Sequence, residues 1–118
     1  MAAGKAFTVR QRLRRRFEFR AVQSRGRRFA SESFLGYYML GHEGASRLGI
    51  TVSRKVGGAV QRNRLKRLVR EWFRQAQGAV PSGVDVVLIF KPGAAVRERR
   101  LGGELTAFGV VLSRLGVA

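Results

Sequence analysis

Arg54, Lys55, Arg62, Asn63, Arg64, Lys66, Arg67, Arg70 and Arg74 crowd into residues 54–74, with Glu71 the only acid among them. A planar guanidinium forks onto phosphate oxygens and stacks on bases, a lysine adds a compact positive charge, and an asparagine both donates and accepts hydrogen bonds. Together these side chains recognise an anion; they do not break a bond. Hydrolysis of a phosphodiester by a protein ordinarily needs clustered carboxylates for two metals, or a histidine acid and base. The acids here, Glu18, Glu32, Glu43, Glu71, Asp85, Glu98 and Glu104, are scattered along the chain, and His42 is the sole histidine. No nucleophile motif, Walker loop or dinucleotide fingerprint is present, and Gly57-Gly58 alone reads as a turn that lets backbone approach a phosphate.

The element that must carry these cations is a helix. Leu65, Leu68, Val69, Trp72, Phe73 and Ala76 recur at i, i+3, i+4, i+7, i+8 and i+11, one apolar stripe at the period of 3.6. Asn63, Arg64, Lys66, Arg67, Arg70 and Arg74 occupy the opposite arc, and Arg62 flanks the stripe. The plain alternative is a solvated helix face, but such faces mix signs. Arg62/Lys66, Lys66/Arg70 and Arg70/Arg74 instead repel at i, i+4 by a few tenths of a kcal/mol each. A polyanion that neutralises the stripe accounts for it better.

Whole-chain composition points the same way. The chain has 118 residues, enough for one domain with its own core. Twenty-four Lys and Arg, twenty of them arginine, against seven acids give a formal net charge of +17. Charge of that size opposes compaction unless a partner neutralises it, and nucleic acid is the natural partner. With no cysteine, disulfides and thiolate metal sites are excluded. The longest apolar run, residues 84–90, is far too short to cross a bilayer. The basic N-terminus is followed by no apolar segment of signal-peptide type, so a cytoplasmic protein is expected.

In chain order, residues 1–12 read as a flexible basic arm, and residues 13–118 as a single domain. Leu13, Phe17, Ala21 and Val22 predict a short first helix over 13–24, and residues 25–28 a turn. Residues 33–40 and 47–53 are strand-like, and the turn chemistry of 41–46 predicts that they pair as an antiparallel hairpin. Tyr37 and Tyr38 must then face opposite sides of the sheet. His42, in that turn, has no second histidine or cysteine with which to share a metal. Gly78 is expected to cap the basic helix. Residues 84–90, VDVVLIF, read as a central strand buried on both faces. Leu101, Leu105, Phe108, Leu112 and Leu115 place a last helix over 98–115, weakened by Gly102, Gly103 and Gly109 at roughly 1 kcal/mol each. The order α-β-β-α-β-α makes an α+β sandwich.

The run SRKVGGAVQRNRLKRLVRE, with its Arg62-Asn63-Arg64 triplet, resembles the signature of the bacterial ribonuclease P protein component family. The resemblance is strong over residues 49–72 and looser from 13 to 115. It implies a ribosomal-protein-like fold with a left-handed βαβ crossover, a hand that general statistics would not predict. It also implies a subunit that assists a catalytic RNA in removing the 5′ leader of precursor tRNA. Arg54, Lys55, Arg62, Asn63, Arg64, Lys66, Arg67 and Arg70 would contact the ribonuclease P RNA. By the same resemblance Phe19 and Tyr37 would line the groove for the leader, with Gln23 standing where the family often has a second aromatic. Mg²⁺ and the reaction itself would belong to the RNA subunit, and no membrane or small-molecule substrate is implied. A small ribosomal protein would share the charge and size but not this signature. The strands around the basic helix disfavour a helix-turn-helix DNA binder. The need to bury Trp72 and Phe73 disfavours a membrane-surface helix.

Overall fold

The computed structural model describes residues 12, 13, 15–41 and 44–115. Its elements are α1 (Arg16–Arg25), β1 (Arg27–Ala30), β2 (Phe34–Leu40), β3 (Arg47–Thr51), α2 (Ala59–Ala76), β4 (Val84–Phe90), a 3₁₀ turn (Ala94–Arg97) and α3 (Glu98–Ser113). The four strands form one sheet in the order β1-β2-β4-β3. β4 is antiparallel to β2 and parallel to β3, so β3, α2 and β4 form a crossover unit.

The architecture is α+β, as expected, with two differences in the sheet. β2 and β3 do not pair as a hairpin; β4 lies between them, matching Phe34 to Phe90 on one side and Leu48 to Val86 on the other. All of β4 except Ile89 is buried. A strand enclosed on both faces also has two rows of backbone N–H and C=O to satisfy, and only an inner position pairs both. The second difference is β1, which forms where a turn was expected. Its four residues, RRFA, bury only Phe29 in part, so no apolar alternation announces this arginine-bearing edge strand.

One face of the sheet carries the main core. Phe34, Tyr38, Leu48, Val86 and Leu88 meet Leu65, Val69 and Phe73 of α2 and Leu101, Leu105, Phe108 and Leu112 of α3. The Phe108 ring stacks on Phe29 at 4.8 Å and on Trp72 at 5.7 Å between centroids. It lies over Gly36, where a Cβ would come within 2.7 Å of it. Gly109, a liability for helix propensity, leaves room for the Trp72 indole, whose nitrogen would stand 3.3 Å from an added Cβ. α2 ends at Gln77 in right-handed conformation, and Ala76 O accepts from Ala79 and Val80, so Gly78 is not the cap.

α1 and the preceding Leu13 cover the other face among the described residues, over a smaller cluster of Leu13, Val22 and Val87 with Phe19, Tyr37, Met39 and Ile89 against it. The helix begins at Arg16, not at residue 13, and Phe17 is 64% exposed, so Leu13, Phe17 and Ala21 do not form its buried line. Leu13 is buried from outside the helix: its N–H donates to Leu48 O at 3.0 Å, beside an isolated bridge from Arg12 to Leu48. Glu18 Oε1 accepts from Arg15 N at 3.0 Å and starts the helix there. That phase turns Phe19 and Val22 to the sheet.

Two polar ties hold helices to strands. Arg47 forks onto Asp85, Nε to Oδ1 at 2.9 Å and Nη2 to Oδ2 at 2.7 Å, while its Nη1 donates to Glu18 Oε2 at 3.0 Å. The hydrogen bond to Asp85 raises the Arg47 pKa above its ordinary value despite burial. Glu104 of α3 accepts from Ser33 N at 2.9 Å, from Ser33 Oγ at 2.6 Å and from Ser31 Oγ. Burial alone would raise the Glu104 pKa, but these bonds and the nearby Arg97 charge bring it below the ordinary value.

Asp85→Asn would leave the half-buried Arg47 short of its main counter-charge. We expect urea denaturation to show a loss near the lower end of the roughly 3–5 kcal/mol range for broken buried pairs, since Glu18 stays in reach. A loss under about 0.5 kcal/mol, ordinary for a surface change, would mean that the fork does not hold α1. For Glu104, a depressed folded-state pKa means stability present above the unfolded value and lost as pH falls through the folded one. Glu104→Gln should therefore destabilise at pH 7, and its difference from the unaltered chain should shrink below the ordinary carboxylate value of 4.5. A difference independent of pH in denaturant titrations would refute this linkage.

Candidate nucleic-acid interface

The loop over residues 52–58 is held before α2 begins. Val56 is 2% exposed and anchors it in the core, Lys55 O accepts from Gly93 N at 2.8 Å, and Val56 O accepts from Ala95 N at 3.3 Å. At Gly57 a Cβ would meet Ala95 Cβ at 2.8 Å and Gln61 Oε1 at 2.7 Å, so close packing requires the glycine. Gln61 Oε1 then accepts from Gly58 N at 2.9 Å, closing the helix N-terminus. Arg54 and Lys55 thus project from a loop pinned on both sides.

Within α2 the buried stripe is Leu65, Val69 and Phe73. It is narrower than the periodicity suggested, because Leu68 is partly exposed and Trp72 half-buried. Arg54, Lys55, Asn63, Arg64 and Arg67 are exposed, and Arg62, Lys66 and Arg70 are half-buried at the edge of the same surface. Arg62 Nη1 donates to Gly57 O at 3.0 Å, which ties it to the loop. Arg64 Nε pairs with Glu98 Oε1 at 2.9 Å, an exposed pair of the kind worth about 1 kcal/mol at most, so a phosphate can replace it. Burial, and next the charge of Arg12, lower the Arg70 pKa below its ordinary value. Arg12 thus adds its charge to the field at Arg70 from outside α2. Its place in the sequence put it in the arm, but it bridges to Leu48 of β3; residues 1–11 of the arm lie outside the described residues.

Most of the described acids are engaged away from this surface, and only Glu71 and Glu98 meet its cations. Glu18 and Asp85 meet Arg47, Glu32 meets Arg100, Glu71 meets Arg74, Glu98 meets Arg64, and Glu104 accepts from two serines. His42 and Glu43 lie outside the described residues. Among the described residues no three of His, Cys, Asp and Glu gather where they could hold a metal, and no helix is long and apolar enough to cross a membrane.

A second feature lies on the α1 face. A cleft of about 500 Å³ is lined by Arg16, Phe19, Arg20, Gln23, Thr51 and Ile89. The Phe19 ring rests over Gly49, where a Cβ would come within 2.5 Å of it. Tyr37 is half-buried on this face, against the small cluster, and Tyr38 lies in the main core, as the strand alternation requires. Arg16 and Arg20, spaced i, i+4 on the wall beside Phe19, are cleft residues that periodicity alone did not select. Their signal was the spacing, read together with the true helix start.

An arginine-faced helix without chemistry-bearing acids, beside a cleft with an aromatic wall and two arginines, defines an RNA-binding α+β domain. Comparison with known proteins agrees. The Ribonuclease P family profile matches residues 7–108. The ribonuclease P protein component of Desulfatibacillum aliphaticivorans is 42% identical over 96 residues, 81% of each chain. That of Thermotoga maritima is 44% identical over 84 residues, 71% of this chain and 72% of the relative. Among solved structures, the RNase P protein from Thermotoga maritima aligns with a TM-score of 0.73 at 35% identity, over 88% of this chain and 96% of that one. The Staphylococcus aureus RNase P protein gives 0.72 at 25%, over 86% and 97%. The chain belongs to the ribonuclease P protein family, and its role is that of the RNA-binding protein subunit of this endoribonuclease.

Arg62→Ala with Arg64→Ala should weaken binding to ribonuclease P RNA and lower the slope of log K against log salt by roughly one for each phosphate no longer neutralised. Melting should shift little, since the Arg62 bond to Gly57 O is worth about 1 kcal/mol and the Arg64 pair no more. An unchanged slope with a large fall in melting temperature would make both residues structural.

Proposed function

We propose that this chain holds ribonuclease P RNA and precursor tRNA side by side, so that the RNA subunit removes the 5′ leader and leaves a 5′-phosphate on the tRNA. Arg54, Lys55, Arg62, Asn63, Arg64, Lys66, Arg67 and Arg70 contact the RNA subunit, and Phe19 and Tyr37 face the leader. The observation that supports this most is the adjacency of the two features. Thr51 borders the cleft, and the chain continues from it directly into the loop that bears Arg54 and Lys55. One end of the sheet thus offers a cationic surface and a cleft sized for single-stranded bases.

The division of labour follows from the side chains. Arginines reduce the repulsion between two polyanions. Phe19 offers a face on which an unpaired base stacks, and Arg16 and Arg20 meet the leader's phosphates. The described carboxylates do not suit a magnesium site, being spread over the fold and engaged by arginines and serines, so Mg²⁺ is assigned to the RNA subunit. The cytoplasm, where precursor tRNA is made, is the corresponding location.

Reconstitution tests the reading. At low Mg²⁺, a bacterial ribonuclease P RNA with this chain should cleave precursor tRNA at its 5′ leader, and neither component should do so alone. Cleavage by the protein alone, or no stimulation of the RNA, would overturn it. Phe19→Ala should weaken leader-bearing substrate by about 1–3 kcal/mol, with mature tRNA hardly affected. Gly49→Ala, whose Cβ would stand 2.5 Å from the Phe19 ring and 3.1 Å from Leu13 Cβ, displaces the ring and should reproduce part of that loss, together with an overpacking cost of roughly 1–3 kcal/mol at this buried position. Equal losses for precursor and mature tRNA would remove Phe19 from the leader site.

A further inference from the structure

A concave site lies at the other end of the sheet. A cavity of about 450 Å³ is lined by Arg25, Arg27 and Arg114, with Tyr38, Met39 and Leu40 of β2 among its walls. The three arginines come from three different elements: the last turn of α1, the first residue of β1 and the residue that follows α3. All three are exposed, and among the described residues their guanidinium groups make no ion pair or hydrogen bond. Gly26 helps bring Arg25 and Arg27 together, since a Cβ there would stand 2.5 Å from Val22 O and 2.6 Å from Tyr38 O, closing the approach of α1 to β2.

The plain alternative is that these arginines serve the helix ends beside them. Arg25 and Arg114 stand at the C-termini of α1 and α3, each equivalent to roughly −0.5 of a charge. Two such ends offset about one of the three positive charges, and Arg27 belongs to neither helix. Among the described residues, roughly two charges are left uncompensated around one cavity. No described acid is available to it, because each is engaged elsewhere in the fold.

We propose that the Arg25–Arg27–Arg114 cavity is a second phosphate-binding site, for an RNA segment different from the one on α2. The inference rests on the chain's role as an RNA-binding subunit. Separation makes the segment different. Tyr38 and Leu40 are near the cavity end of the seven-residue β2, while Phe34 at its other end pairs with Phe90, just before the turn that pins Lys55 and Val56. Seven strand residues span about 20 Å, several phosphates apart along an RNA strand. Two guanidinium forks can grip one phosphate and the third its neighbour. The phosphate belongs either to ribonuclease P RNA or to precursor tRNA, and the two arms of the test separate these sources.

The test uses a variant with Arg25→Gln, Arg27→Gln and Arg114→Gln, and a companion with lysine at all three positions. Binding to ribonuclease P RNA alone, and binding of precursor tRNA to the assembled holoenzyme, are each measured across a salt series. The glutamine variant should bind one of these RNAs about tenfold more weakly, with the salt slope reduced by roughly one to two, and the lysine variant should keep most of the slope. Loss in the first arm assigns the site to the RNA subunit; loss confined to the second assigns it to the substrate. Unchanged affinity and slope in both arms would overturn the proposal. If the triple glutamine variant melts early, the three single variants are read instead, and three unchanged slopes overturn it equally. Arg62→Ala with Arg64→Ala is run in parallel. If that variant loses affinity and the cavity variant does not, only the second site falls; if neither does, the RNA-binding assignment of α2 falls with it.

Discussion

Asp85 is a carboxylate in β4, one of the two inner strands of the sheet, 4% exposed, in a position that its neighbours fill with valine. A buried charge is tolerated only when paired and hydrogen-bonded. Arg47, its register partner on β3, supplies both bonds of a fork and extends a third to Glu18. Glu18 in turn accepts the N–H that begins α1. One desolvated carboxylate thereby fixes the pairing of β3 with β4, the seat of α1 on the sheet and the phase that turns Phe19 inward. The cleft exists because α1 is held there.

The same constraint governs the surface. A chain with seven acids and twenty-four cations can either neutralise its outside or hold itself together. The described acids all lie in ties between elements or along a helix, at Glu18, Glu32, Glu71, Asp85, Glu98 and Glu104. What is left over is arginine at both ends of the sheet. The Phe108 ring, packed over Gly36 and between Phe29 and Trp72, lets α2 and α3 bury their apolar sides on one face, so that cations occupy the outside.

Glycines act here through space more than through backbone freedom. Gly36 admits Phe108, Gly49 admits Phe19, Gly57 admits Ala95, and Gly109 admits Trp72. Among these only Gly109 carries a helix cost that the sequence reveals, and that cost is offset by an indole that a side chain would crowd. Gly102 and Gly103 have open space around them, and nothing in the structure explains them.

By itself the sequence determined the class of the protein, because local information suffices for it. The Arg62-Asn63-Arg64 run, the period of α2, the buried run of β4 and the charge imbalance are all readable within a few residues or as a sum. So were the α+β class and the opposite facing of Tyr37 and Tyr38. Tertiary structure alone decided which strands pair, since the turn between β2 and β3 is compatible with a hairpin and only the burial of β4 on both faces forbids it. It also decided that β1 is a strand, that Leu13 is buried from outside α1, and that Arg12 bridges to Leu48. Each of these depends on residues far apart in the chain meeting in space. The free energy of that meeting outweighs the weak local preference of RRFA, or of the line through Leu13, Phe17 and Ala21, by burying area that no short window of sequence can represent.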